Sequence, residues 1–134
     1  MARVLINIDV PALDGACRFY CDALGLRVER YLFSGSVAEL GGANVALFLL
    51  HKPAGSIAAA AQPRDYARHW TPVHFDVAVD DLDAALARAL AAGAVLEGSV
   101  DTAEWGRIAR LADPFGHGIC LVEFSALGYD AVEG

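Results

Sequence analysis

No stretch of this sequence is long and apolar enough to cross a bilayer as a helix. The uncharged runs between Glu39 and Lys52 and between Lys52 and Arg64 hold 12 and 11 residues, well short of the ~18–20 that crossing needs. Cysteine is scarce: Cys17, Cys21 and Cys120 are too few, and odd in number, for a disulfide framework. Met1-Ala2-Arg3-Val4 lacks a basic head followed by an apolar stretch and a cleavage site, so a cytoplasmic location is expected. Bases are few as well, ten Lys and Arg against 17 Asp and Glu, for a net charge of −7. Residues 1–50 carry four bases and five acids, 51–71 three and one, and 72–134 three and eleven. That balance offers no electrostatic footprint for nucleic acid or an anionic membrane, and neither is expected as a partner. Alanine, by contrast, is plentiful. Without its 26 copies, 49 apolar residues remain among 134, about 37%, an ordinary core supply for one domain of roughly 100–200 residues.

The chain repeats itself. A shift of 69 residues sets Val4 on Val73, Val10 on Val79, Leu13 on Leu82, Asp14 on Asp83, Ala16 on Ala85 and Ala23 on Ala92. Segments 3–10 and 73–79 are rich in β-branched residues and read as strands. Helices are expected from about Ala12 to Leu24 and from Leu82 to Ala92, ended by Gly25 and Gly93. Strands are expected again at 27–33, 36–40 and 44–51, and at 95–100, 106–112 and 118–124. Asp113-Pro114-Phe115-Gly116 has the composition of a type I turn. Each copy is therefore βαβββ. The expected organisation of the single domain, residues 1–134, is a first module over 1–51, a connector over 52–72, a second module over 73–125 and a tail over 126–134.

Leu-Asp-Gly-Ala-Cys-Arg-Phe-Tyr-Cys-Asp-Ala-Leu-Gly-Leu at 13–26 and Asp-Pro-Phe-Gly-His at 113–117, in a duplicated frame over about residues 3–124, resemble the vicinal oxygen chelate superfamily. Glyoxalase I, bleomycin-resistance proteins and extradiol dioxygenases belong to it. The resemblance implies an α+β fold in which two tandem βαβββ modules form a curved eight-stranded mixed sheet. It further implies a half-barrel cleft for a small molecule, helices on the outside and a homodimer. In the superfamily's metal enzymes the first and last strands of each module can supply ligands. Those positions fall here on Leu5, Leu47, His74 and Cys120. Two leucines coordinate nothing, and a catalytic divalent site needs about three protein ligands. No cofactor is therefore expected, although His74 and Cys120 could still contribute to a soft divalent-metal site.

His74 is a candidate for ligand contact or acid/base chemistry, or else a core histidine bonded to a neighbour. Asp76 shares its face by strand alternation, as Asn7 shares that of Leu5. A buried Asp76 needs a donor, from a ligand or from the protein. Cys120 reads as a small buried hydrophobe or, given an activating base, a nucleophile. In the connector, His69 and Trp70, with Tyr66, form a candidate lid or rim. Their alternative is a loop anchored by one tryptophan. Trp105 opens the seventh strand. Arg107 and Arg110 fall on opposite faces, so one points inward, and Arg107 is counted with the candidate ligand contacts. Leu5, Asn7, Leu47, His69, Trp70, His74, Trp105, Arg107 and Cys120 make a mostly apolar pocket with a few polar groups. A metal-free binding protein for an apolar or aromatic molecule is expected. The alternative is an enzyme: a lyase, isomerase or dioxygenase with an atypical metal site, or one using His74 and Asp76.

Overall fold

A computed structural model describes residues 1–134. The chain divides into two compact units, Met1–Ala67 and Arg68–Gly134. The boundary falls inside the expected connector, which is therefore shared between them.

In the first unit β1 (Leu5–Val10), α1 (Leu13–Leu24), β2 (Arg27–Leu32), β3 (Val37–Gly41) and β4 (Ala46–His51) follow in order. The sheet runs β1-β4-β3-β2, with β1 parallel to β4 and the other pairs antiparallel. Alternation makes one sheet face apolar: Ile8, Val10, Ala38, Leu40, Leu47 and Leu49 are buried. Against it α1 turns Ala16, Cys17, Phe19, Tyr20 and Ala23. Each large side chain so buried contributes ~1.5–3 kcal/mol. Gly25 stops α1 in the left-handed region at φ 68°, where an L side chain is strained. Residues 52–67 stay with this unit. The Arg64 Nε donates to Asp9 at 2.7 Å and the Tyr66 hydroxyl to the Lys52 carbonyl at 2.7 Å.

The second unit repeats the plan with β5 (Phe75–Ala78), α2 (Leu82–Ala92), β6 (Val95–Leu96), β7 (Asp101–Ala103), β8 (Gly106–Ala112) and β9 (Gly118–Phe124). Its order is β5-β9-β8-β6, with β7 also on β8 and β5 parallel to β9. The modules are thus α+β tandem repeats with nine strands in two sheets of four and five. The extra strand arises because the segment expected as 95–100 is broken. Leu96 pairs with Leu111 and Asp101 with Ile108, so five steps on one edge span three on the other. The surplus residues bulge out around Gly98 at φ 79°.

On the helix side lie Ala109, Leu111, Ile119 and Leu121, all buried. Asp81 caps α2 by accepting from the Ala84 amide, and Glu123 of β9 accepts from the Leu82 amide. The turn between β8 and β9 closes on Asp113, whose buried carboxylate accepts from the Phe115 and His117 amides and meets His117 Nδ1 at 2.7 Å. A short 3-10 turn, Gly128–Val132, lays Tyr129 against Trp105 and Phe124.

Candidate functional site

Strand parity in the second unit divides its side chains cleanly. Odd-numbered residues of β8 and β9 face α2, and even-numbered ones face the open side. On the open side Asp76, Cys120 and Arg110 are lateral neighbours across β5, β9 and β8. His74 joins them from two positions before Asp76, just ahead of β5 rather than central to a strand. The donor atoms of His74, Asp76 and Cys120 all lie within 4.8 Å of one another.

Within this group Asp76 is the hub. Its Oδ1 stands 3.5 Å from His74 Nε2, with the two side chains 39% and 42% exposed. The Cys120 thiol lies within 4.8 Å of it. Burial, followed by the Asp76 charge, pushes that thiol from its ordinary 9.0 up to about 11. A thiol held this way stays protonated and is no nucleophile at neutral pH. Arg110 completes the row, its Nη1 2.6 Å from Asp101 Oδ2. That hydrogen bond raises the guanidinium pKa further.

Trp70 stands beside His74, edge to face, with ring centroids 5.4 Å apart and planes at 87°. Arg68 lies 4.6 Å over the Trp70 ring and is ion-paired with Glu97. The hydrogen bond from Arg68 is the main cause that holds the Glu97 carboxyl below its usual range. Gly118 supplies the room for the indole, since a Cβ there would sit 2.5 Å from Trp70 Cζ3. His69 is exposed, and its carbonyl accepts from Arg68. Trp105 packs against Phe124 and Tyr129 at 6.3 and 5.6 Å.

Two expected contacts lie elsewhere. Arg107 is on the helix side, paired with Glu123 and Asp83 at 3.2 Å each. The open-side arginine is Arg110, because β8 alternates from its pairing with Cys120. Leu47 is core, only 4% exposed beneath α1. Its neighbour Phe48 takes the open side, paired with Asn7 as Cys120 is with Asp76. Phe48 and Cys120 lie 72 positions apart, and Asn7 and Asp76 lie 69 apart. The second module therefore gains three residues between these strands. In the first unit Leu5, 45% exposed, shares the open side with Asn7, Phe48, Glu39 and Arg30. Arg30 Nε meets Glu39 at 2.8 Å.

Arg110 with Asp101, Arg68 with Glu97, and Gly118 were not read from the sequence. The first was within reach, because counting back equally from both sides of the Asp113–His117 turn pairs Arg110 with Cys120. The other two join distant loops and left no local pattern.

A profile of the glyoxalase-like domain matches residues 5–122, and the chain belongs to that family, within the vicinal oxygen chelate superfamily. No curated protein matches the sequence. Among solved structures, a glyoxalase-related enzyme from Fulvimarina pelagi superposes with a TM-score of 0.71 at 16% identity, covering 92% of this chain and 88% of its own. An antibiotic binding protein from Streptomyces sp. CB03234 gives 0.66 at 24%, covering 93% and 97%. A glyoxalase / bleomycin resistance protein from Catenulispora acidiphila gives 0.63 at 21%, covering 93% and 100%. At these identities the likeness establishes the fold.

The superfamily's metal centre, with one ligand from each of four strands, does not fit these residues. The first unit offers only Leu5 and Phe48 at its two positions. The remaining donors are one imidazole, one carboxylate and one thiol, all from the second unit, and the thiol is held protonated by burial.

Proposed function

We propose that the chain is a metal-free small-molecule-binding protein whose ligand is apolar or aromatic. The observation that carries this reading is the hydrocarbon pair Leu5 and Phe48, standing where the superfamily's metal enzymes draw ligands. On the open side of the first unit Leu5 and Phe48 supply apolar contact beside Asn7. On the open side of the second unit Trp70 supplies it, and His74, Asp76 and Arg110 supply the few polar groups that orient a ligand. A protein of similar fold from Streptomyces is an antibiotic binding protein, which supports a binding role.

A second reading draws on the exposed His74–Asp76 pair. An imidazole beside a carboxylate is arranged for proton abstraction, because Asp76 would stabilise the imidazolium as it forms. Its neighbour Cys120 takes no part while protonated.

The test uses protein purified without chelator, elemental analysis, and anilinonaphthalene sulfonate as an aromatic probe. The expected result is no stoichiometric metal and saturable probe binding, weakened several-fold in Phe48→Ala or in His74→Ala. Stoichiometric zinc, nickel, iron or manganese that survives dialysis would overturn the metal-free reading. Probe binding unmoved by both variants would overturn the placement of the ligand.

A further inference from the structure

We infer that Glu97 is a positioning residue, which fixes the orientation of the His74 ring by holding Trp70. The inference takes from the proposed function only that His74 meets the ligand, and the positioning stands whatever that ligand is.

Glu97 lies in the bulged segment between β6 and β7, a part of the sheet edge that contributes nothing to the open-side row. Its carboxylate has two partners. Arg68 Nε donates to Oε2 at 2.8 Å, with a second contact from Nη2 to Oε1. The Trp70 indole also donates a hydrogen bond to it. The pair is sheltered, with the Arg68 and Glu97 side chains 24% and 30% exposed.

Arg68 is in turn committed to Trp70. Its guanidinium lies over the indole, and Nη1 reaches the Gly116 carbonyl at 3.5 Å. One carboxylate therefore grips the tryptophan twice, at its N–H and through the cation on its face. The bare Cα of Gly118 closes a further approach to the six-membered ring. An indole has two rotatable angles, and these contacts hold both.

His74 is what this rigid ring meets. It lies just ahead of the first residue of β5. Its distance to Asp76, 3.5 Å, is too long for a hydrogen bond that would fix the imidazole plane. The remaining constraint among these contacts is the perpendicular Trp70 ring. Glu97, 23 positions along the chain from His74, thus sets a side chain that it does not touch.

The experiment reads the His74 ring resonances in 1H–13C spectra of the ligand-free full chain. Trp70→Ala removes the indole ring current and defines full displacement. Glu97→Ala is expected to move the His74 ring resonances toward those of Trp70→Ala. Glu97→Gln, which keeps an acceptor for the indole but loses the charge on Arg68, is expected to move them less far. His74 resonances at wild-type positions in both Glu97 variants would overturn the inference, even if both melt at lower temperature. If Glu97→Ala does not fold, Glu97→Gln decides by the same readout. No ligand is involved, so a failure of the probe-binding experiment leaves this result intact.

Discussion

Gly118→Ala isolates the seat of Trp70. Gly118 lies outside the left-handed region, so alanine meets no backbone strain and the effect falls on the neighbour. The added Cβ would stand 2.5, 2.7 and 2.8 Å from three carbons of the six-membered ring. Optimal carbon contacts are ~3.5–4.0 Å, so the ring must retreat by about 1 Å. It has two ways to do so. Staying in place strains the packing by ~1–3 kcal/mol. Swinging into water forfeits its burial: Trp70 is 40% exposed, so roughly 60% of ~200 Å² at ~25 cal/mol/Å², about 3 kcal/mol, is the ceiling. Alanine also lowers the entropy of the unfolded chain, which returns ~0.4–1 kcal/mol. A net loss of about 1–2 kcal/mol follows, or roughly 5 °C in melting temperature for a chain of this size. The assay is thermal unfolding in a Trp105→Phe background, where Trp70 is the sole tryptophan, with its emission recorded on the folded protein. The expected result is a lower melting temperature and red-shifted emission. A variant that melts with the parent and emits at the same wavelength would refute the seating of the indole on Gly118.

The register of β4 makes a second prediction. Leu47→Ala removes a core side chain and is expected to cost ~2–5 kcal/mol in urea unfolding, against about 1–2 kcal/mol for Phe48→Ala on the open side; equal losses would contradict the pairing. Cys120 makes a third, through pH. Its folded pKa is raised, so the folded state holds the proton more tightly: the stabilisation is complete below 9.0 and is lost as pH rises through about 11. Denaturation from pH 8 to 11 is expected to show a steeper fall in the parent than in Cys120→Ala. A thiol reagent at pH 8 is expected to spare Cys120 until the chain unfolds.

The duplicated frame was legible because it rests on local chemistry: glycines that end helices, alternating strands and an Asp-Pro-Phe-Gly turn. His74 and Cys120 entered through the resemblance, which singles out first and last strands, and Asp76 through strand alternation from His74; the structure brings the three side chains within 4.8 Å. Leu47 was misplaced for a different reason. In Val45-Ala46-Leu47-Phe48-Leu49-Leu50 every residue is apolar, so polarity alternation carries no parity. Only pairing with β1 decides which residues meet α1. Arg107 and Arg110 posed the same problem in charged form. Arg107 has carboxylates waiting on the helix side, Glu123 and Asp83, that no local pattern announces. The break in the second strand of the second module was missed because Glu97-Gly98-Ser99-Val100 bulges only against its partner β8.

The parallel pairing of first and last strands has a consequence for how each module comes into being. Leu5 bonds to the ladder at Ala46, and Phe75 at Ile119. A module under synthesis can form its helix and the hairpin of its middle strands early, yet its first strand stays unmated until some forty residues more have emerged. Closing so long a loop defers the reward for ordering the first strand. Each sheet is therefore completed twice over in the same late step, by the arrival of β4 in one unit and β9 in the other. The strand that completes the second sheet is also the one that delivers Cys120 to Asp76, so the candidate site is assembled only when its module closes.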